Sequence, residues 1–249
     1  MLNRIKDVFS ILAAMALSAG AVHAQFSDGT KVGIATGKGL NTDRSGVFWS
    51  SPTESSNVIG DFYIDSLWHE GSVKLNAPMA QFGGMESDSL AGITVRYNVL
   101  NDELEVLANK NDIRVIKASY LKSFETKNNG NPQRFISIRS LIPSTGLKGV
   151  CEVLSSGKLI LIKHYKPKIT KPNYNPGFGT GQKNTIVRLD SDYYVVSNGK
   201  PEKFNASKKA VLAVMGDKGK EVEAYLNENK VGLKSDSDLK SVFNFYNKM

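Results

Sequence analysis

From Phe62 onward, short β-branched and aromatic runs alternate with turn residues every eight to twelve positions, the spacing of a meandering antiparallel sheet. The runs predict strands over residues 72–75, 92–100, 103–108, 113–119, 122–126, 134–139, 150–154, 158–165, 185–189 and 193–197. Asn101-Asp102, residues 109–112, residues 155–157 and Asn198-Gly199 supply turn chemistry between them. Over residues 93–99 the odd positions are apolar and the even ones polar, so one face is expected to be buried and the other solvated. After Pro201 the period changes from two to 3.6. A helix capped by Asn205 or Ser207 carries Ala210, Val211, Val214 and Met215 and stops at Gly216; a second presents Val222, Tyr225 and Leu226. A third opens on Ser235-Asp236-Ser237-Asp238, a capping-box pattern with acid at the positive helix end, and presents Leu239, Val242, Phe243 and Tyr246. Amphipathic helices must cover something, and the expected partner is a face or open end of the sheet. The fold class is therefore α+β: an antiparallel β-meander, as a sandwich or open barrel, with about three C-terminal helices.

The start of the chain reads differently. Arg4 and Lys6 precede an apolar run over residues 8–22, and Val22 and Ala24 are the small residues a signal peptidase needs, which places cleavage after Ala24. The run is shorter than the roughly 20 residues of a membrane-spanning helix. Gln25 at the cut excludes a lipoprotein cysteine, and no later stretch is apolar enough to span a bilayer. The expected address is periplasmic or extracellular. The expected organisation is a signal peptide over 1–24, an irregular arm over 25–60 rich in Gly, Ser, Thr and Asn, a β domain over 61–200 and a helical segment over 201–249.

Cys151 is the sole cysteine, so no internal disulfide forms; with Glu152 beside it, it reads as a small core residue rather than a reactive thiol. The formal net charge is +8, which favours polyanionic surroundings. The exported address disfavours nucleic acid and leaves an anionic envelope polysaccharide or another envelope protein as the expected partner.

Five stretches carry a resemblance: residues 68–75, Val95-Arg96-Tyr97-Asn98, Asp102-Glu103-Leu104-Glu105, Tyr193-Tyr194 and Phe245-Tyr246-Asn247. With these, residues 60–249 resemble an uncharacterised family of secreted β-rich proteins of Bacteroidota. The resemblance implies no activity and no catalytic residue, because its motifs are packing and turn motifs.

Candidate chemistry is sparse. His69 and His164 are far apart, and neither has a companion at metal-ligand spacing. Neither Gly-rich stretch, 33–39 or 177–181, has the spacing and lysine of a phosphate loop. Asp190-Ser191-Asp192 reads as a hairpin turn rather than half of a calcium site. The reading therefore calls for no cofactor, metal or catalytic residue. An alternative is a hydrolase of glycan or peptide assembled from Glu103, Glu105, Asp190 and Asp192.

One feature stands out. No acidic residue lies between Glu152 and Asp190, while Lys158, Lys163, Lys166, Lys168, Lys171, Lys183 and Arg188 accumulate. Residues 164–178 read as a long, proline-spaced, extended connection between two strands. Lysines offer point charges to anions, and Tyr165, Tyr174 and Phe178 offer ring faces to sugars or apolar partners. The candidate anion-binding residues are Lys163, Tyr165, Lys166, Lys168, Lys171 and Tyr174. The plainer reading is a solvated insertion whose lysines serve solubility.

Overall fold

The structure, a computed structural model, describes residues 57–80, 86–110, 112–143 and 145–249. The leader expected over 1–24 and most of the arm expected over 25–60 lie outside the described residues. The strands are β1 (Val58–Gly60), β2 (His69–Ala80), β3 (Glu86–Asn98), β4 (Glu103–Asn109), β5 (Asp112–Lys117), β6 (Leu121–Asn128), β7 (Asn131–Ser137), β8 (Val150–Ser155), β9 (Ile160–Thr170), β10 (Thr185–Ser197) and β11 (Lys200–Phe204). The helices are α1 (Ile138–Leu141), α2 (Lys208–Met215), α3 (Gly219–Glu228) and α4 (Asp236–Asn247).

The fold is α+β, with the strands in one 11-stranded sheet of order β1-β10-β9-β8-β7-β6-β2-β3-β4-β5 and β11 beside β10. Every pairing is antiparallel except β1 with β10, which is parallel. β1 itself belongs to the end of the segment expected to be irregular. The sheet curls. Tyr165 of β9 and Leu189 of β10 pack against the same cluster as Val95 and Tyr97 of β3, although several strands separate them in the order. The Tyr97, Phe124 and Phe135 rings stack through that cluster with centroids 5.6 and 4.6 Å apart. Residues 61–64 bridge the curl: Asp61 N–H donates to Val187 O at 3.0 Å on β10, and Val99 N–H to Phe62 O at 2.7 Å beside β3.

The alternation read over residues 93–99 holds for the core side, where Ile93, Val95, Tyr97 and Val99 are buried. The opposite side is not simply solvated. Asn98 is buried, and Arg96 lies between the Tyr63 and Trp68 rings, 4.2 and 4.3 Å from their centroids. Arg96 Nε donates to Glu105 Oε2 at 2.7 Å, so the chain before β2 folds over a polar cluster on this face.

A second cluster joins Leu161, Val195 and Phe204 to Val211, Met215, Val222, Leu239, Val242 and Phe243, seating the C-terminal helices on one side of β8–β11. A third places Cys151, Ile162 and Val196 with Ile138 and Ile142 around α1, where residues 138–139 leave the strand expected there. The expected caps form: Ser207 Oγ accepts from Ala210 N–H at 3.3 Å, and Ser235 Oγ from Asp238 N–H at 3.1 Å. No helix among the described residues is long and apolar enough to cross a membrane.

Candidate anion-binding hairpin and the cleft at its root

The lysine-rich stretch is not a loose connection. β9 and β10 pair in continuous register from Ile160 opposite Val196 to Thr170 opposite Ile186, so residues 164–170 are strand. Pro167 is tolerated because the last β8 pair is Cys151 with His164; beyond it β9 has an open edge, where a missing N–H breaks no ladder. The loop continues the ladder, with Asn173 N–H donating to Gln182 O at 3.0 Å and Asn175 N–H to Thr180 O at 2.8 Å. The Asn173 and Asn175 side chains accept from Gln182 N–H and Gly177 N–H at 2.8 and 3.0 Å. Gly181 is required at φ +96°, since a Cβ there would lie 2.4 Å from Asn173 O. The turn over residues 176–179 is the tip of an ordered hairpin, and Phe178 on it is 80 % exposed.

Asp190-Ser191-Asp192 does not form the expected hairpin turn. It is strand interior, not a turn, and register sets Asp190 opposite Lys166 and Asp192 opposite His164. The acids missing from one strand thus return from its neighbour. Lys166 Nζ bonds Asp192 Oδ2 and lies 3.7 Å from Asp190, and the Asp192 hydrogen bond raises the amine's pKa. Lys203 approaches Asp192 from β11 at 2.9 Å, and the two amines hold this carboxyl below its usual pKa. Lys163 Nζ reaches Asp236 at the start of α4 at 2.7 Å. Tyr165 OH donates to Glu152 Oε2 at 2.6 Å, and burial followed by that carboxylate raises its pKa well above 10. Three of the six predicted residues, Lys163, Tyr165 and Lys166, are therefore tied into the body.

The other three face outward. Lys168 and Lys171 are exposed with no ion pair among the described residues, and Tyr174 is 36 % exposed with Lys183 Nζ 4.6 Å above its ring. Arg188 stands opposite Lys168 and is likewise exposed. The hairpin thus has a neutralised root and a cationic end.

At the root lies a cleft of about 210 Å³ lined by Tyr97, Asp102, Lys148, His164, Tyr165 and Lys166. Sequence reasoning gave Lys148 and His164 no role there, since the contacts come from the register of β8 with β9 and from the turn after β3. His164 Nε2 bonds Lys148 O at 2.9 Å while Nδ1 has no partner among the described residues, and burial lowers the imidazole pKa. Tyr97 OH donates to Asp102 Oδ1.

No protein family, curated protein or solved structure matches the chain. The motifs behind the family resemblance are packing elements here: Trp68 covers Arg96, Tyr193 OH donates to Asp236, and Asn247 bonds the turn between β8 and β9.

Each carboxylate weighed for hydrolysis has a cation beside it. Glu103 pairs with Lys117, Glu105 with Arg96, and Asp190 and Asp192 with Lys166. Among the described residues no three His, Cys, Asp or Glu side chains group to hold a metal ion. His69 begins β2 and contacts Asp65 Oδ2 at 2.9 Å. Cys151 is fully buried, and burial pushes its thiol pKa up to about 12.

Proposed function

We propose that this protein is a non-enzymatic binding or assembly module of the cell envelope, exported with removal of residues 1–24, that holds an anionic polymer such as an acidic glycan or lipopolysaccharide through the β9–β10 hairpin. The observation that supports this reading is the division of charge along the hairpin. Acids neutralise the cations at its root, whereas Lys168, Lys171, Lys183 and Arg188 stand exposed toward its end with no ion pair among the described residues. The ordered ladder keeps these charges displayed, so less conformational freedom is lost on binding than from a flexible loop.

The test compares two triple variants of equal charge. Lys168, Lys171 and Lys183 are changed to Gln in one; Lys209, Lys220 and Lys240, exposed on or beside the C-terminal helices, are changed in the other. Each exposed contact contributes up to about 1 kcal/mol, so the hairpin triple is expected to weaken retention on dextran sulfate on the order of ten- to a hundredfold at low salt. Screening over about 10 Å at 0.1 M salt should shrink the difference as salt rises. Equal weakening by both triples would show that net charge alone acts and would overturn the reading.

A further inference from the structure

The tip differs chemically from the strands below it. Residues 176–181 are Pro-Gly-Phe-Gly-Thr-Gly, whose only polar side chain is the Thr180 hydroxyl. A sugar site needs several side-chain donors and acceptors, and here there is one ring on a fixed turn. Phe178 is 80 % exposed, while the backbone bonds between Asn175 and Thr180 and between Asn173 and Gln182 hold the turn that presents it. Just below it, Tyr174 lies under the Lys183 ammonium, an amphipathic ring paired with a cation. Lys183 is three residues beyond the Asn175–Thr180 rung, or about 10 Å at roughly 3.3 Å per residue, and Lys171 is four residues beyond it on the other strand, or about 13 Å. This is an apolar point above a collar of Tyr and Lys. An interfacial segment buries its apolar part about 5–10 Å deep, which sets the collar at the level of lipid phosphates.

We infer that the β9–β10 tip is an anchor for an anionic lipid bilayer, with Phe178 entering the acyl boundary while Lys171 and Lys183 lie against headgroup phosphates. The inference rests on the anion-binding reading above for its cations, and it adds the lipid as the source of the anions. The ladder matters because a ring already held out on a turn loses little conformational freedom on insertion.

The test uses the purified full chain and variants that share one N-terminus, so any contribution of residues 1–24 cancels. Phe178→Ala is expected to lower cosedimentation with phosphatidylcholine–phosphatidylglycerol vesicles about tenfold, the scale of one Phe side chain leaving an apolar phase. It should leave retention on dextran sulfate and the melting temperature unchanged. Phe178→Trp should show, beyond the emission of Trp49 and Trp68, a blue shift with those vesicles and quenching by brominated acyl chains. Vesicle binding unchanged by Phe178→Ala, or no quenching of the introduced Trp, would overturn the anchor. Retention on dextran sulfate without vesicle binding would also overturn the anchor and leave the polymer reading standing. Failure on both matrices would overturn the two together.

Discussion

His164 is 7 % exposed and its Nε2 bonds Lys148 O, so that nitrogen carries the hydrogen and Nδ1 is a bare acceptor without a donor among the described residues. Protonation would place an unmatched N–H in a buried site, and burial accordingly lowers the pKa from 6.5. In the unfolded chain the ring takes a proton near pH 6.5, whereas in the folded chain it does so only at lower pH. Stability from this residue is therefore full above about pH 6.5 and is lost as pH falls toward the folded value. The melting temperature should drop between pH 7.5 and 5.5 more steeply in the natural protein than in His164→Gln, read by calorimetry across that range. Parallel slopes would show that the ring titrates alike in both states. Some of this scale was legible in the sequence. An acid rather than a base beside Cys151 announced a core residue, and it is one. The partners of Lys163 and Lys166 were not legible, because Asp236 and Asp192 reach them only through tertiary packing and strand register.

Among elements, β3 and β4 show what alternation can and cannot announce. The inward row was plain, but the outward row is partly roofed by Tyr63 and Trp68, residues of an irregular segment with no periodicity to read. Under that roof Glu105 is 2 % exposed, and it accepts from Arg96 at 2.7 Å and from Tyr63 OH at 3.0 Å. Removing the cation leaves a buried charge only partly answered, so Arg96→Met should cost about 3–5 kcal/mol in urea unfolding. Arg96→Met with Glu105→Gln should cost clearly less, since the amide needs no counter-charge. A double variant no more stable than the single one would show that the ring packing, and not the buried charge, sets the cost. The lengths of β9 and β10 were misread for a related reason. Asp-Ser-Asp has the local chemistry of a turn, yet here Asp192 lies between Lys166 and Lys203 of the flanking strands, and those neighbours keep the run extended.

Across the whole molecule, the C-terminal helices fasten the sheet through a buried apolar cluster and a few specific polar contacts. Asn247 Oδ1 accepts from Leu159 N–H at 3.0 Å, and its Nδ2 donates to Leu159 O at 2.8 Å and to Ser155 Oγ at 3.0 Å. The amide closes the turn between β8 and β9 from a distant point of the chain. Asn247→Ala should lower stability by about 1–3 kcal/mol, the range for leaving buried partners unanswered, as read from urea unfolding; a change below 0.5 kcal/mol would mean that water substitutes freely. The helices themselves were legible from their caps and stripes, because those signals are local. Their seat was not, since a side-chain amide matched to a backbone turn carries no sequence signature.

The parallel pairing of β1 fixes where the chain enters the described body relative to the hairpin. Thr185 N–H donates to Asn57 O at 2.9 Å, so the polypeptide enters the described body beside the outer end of the β9–β10 hairpin. The last helix instead ends against Leu159, about eleven residues and roughly 36 Å back along β9 from Thr170. The two termini of the described body are thus polar opposites with respect to the hairpin. A surface held at Asn57 itself would lie on the tip's side of the body, whereas one held at Met249 would lie on the far side.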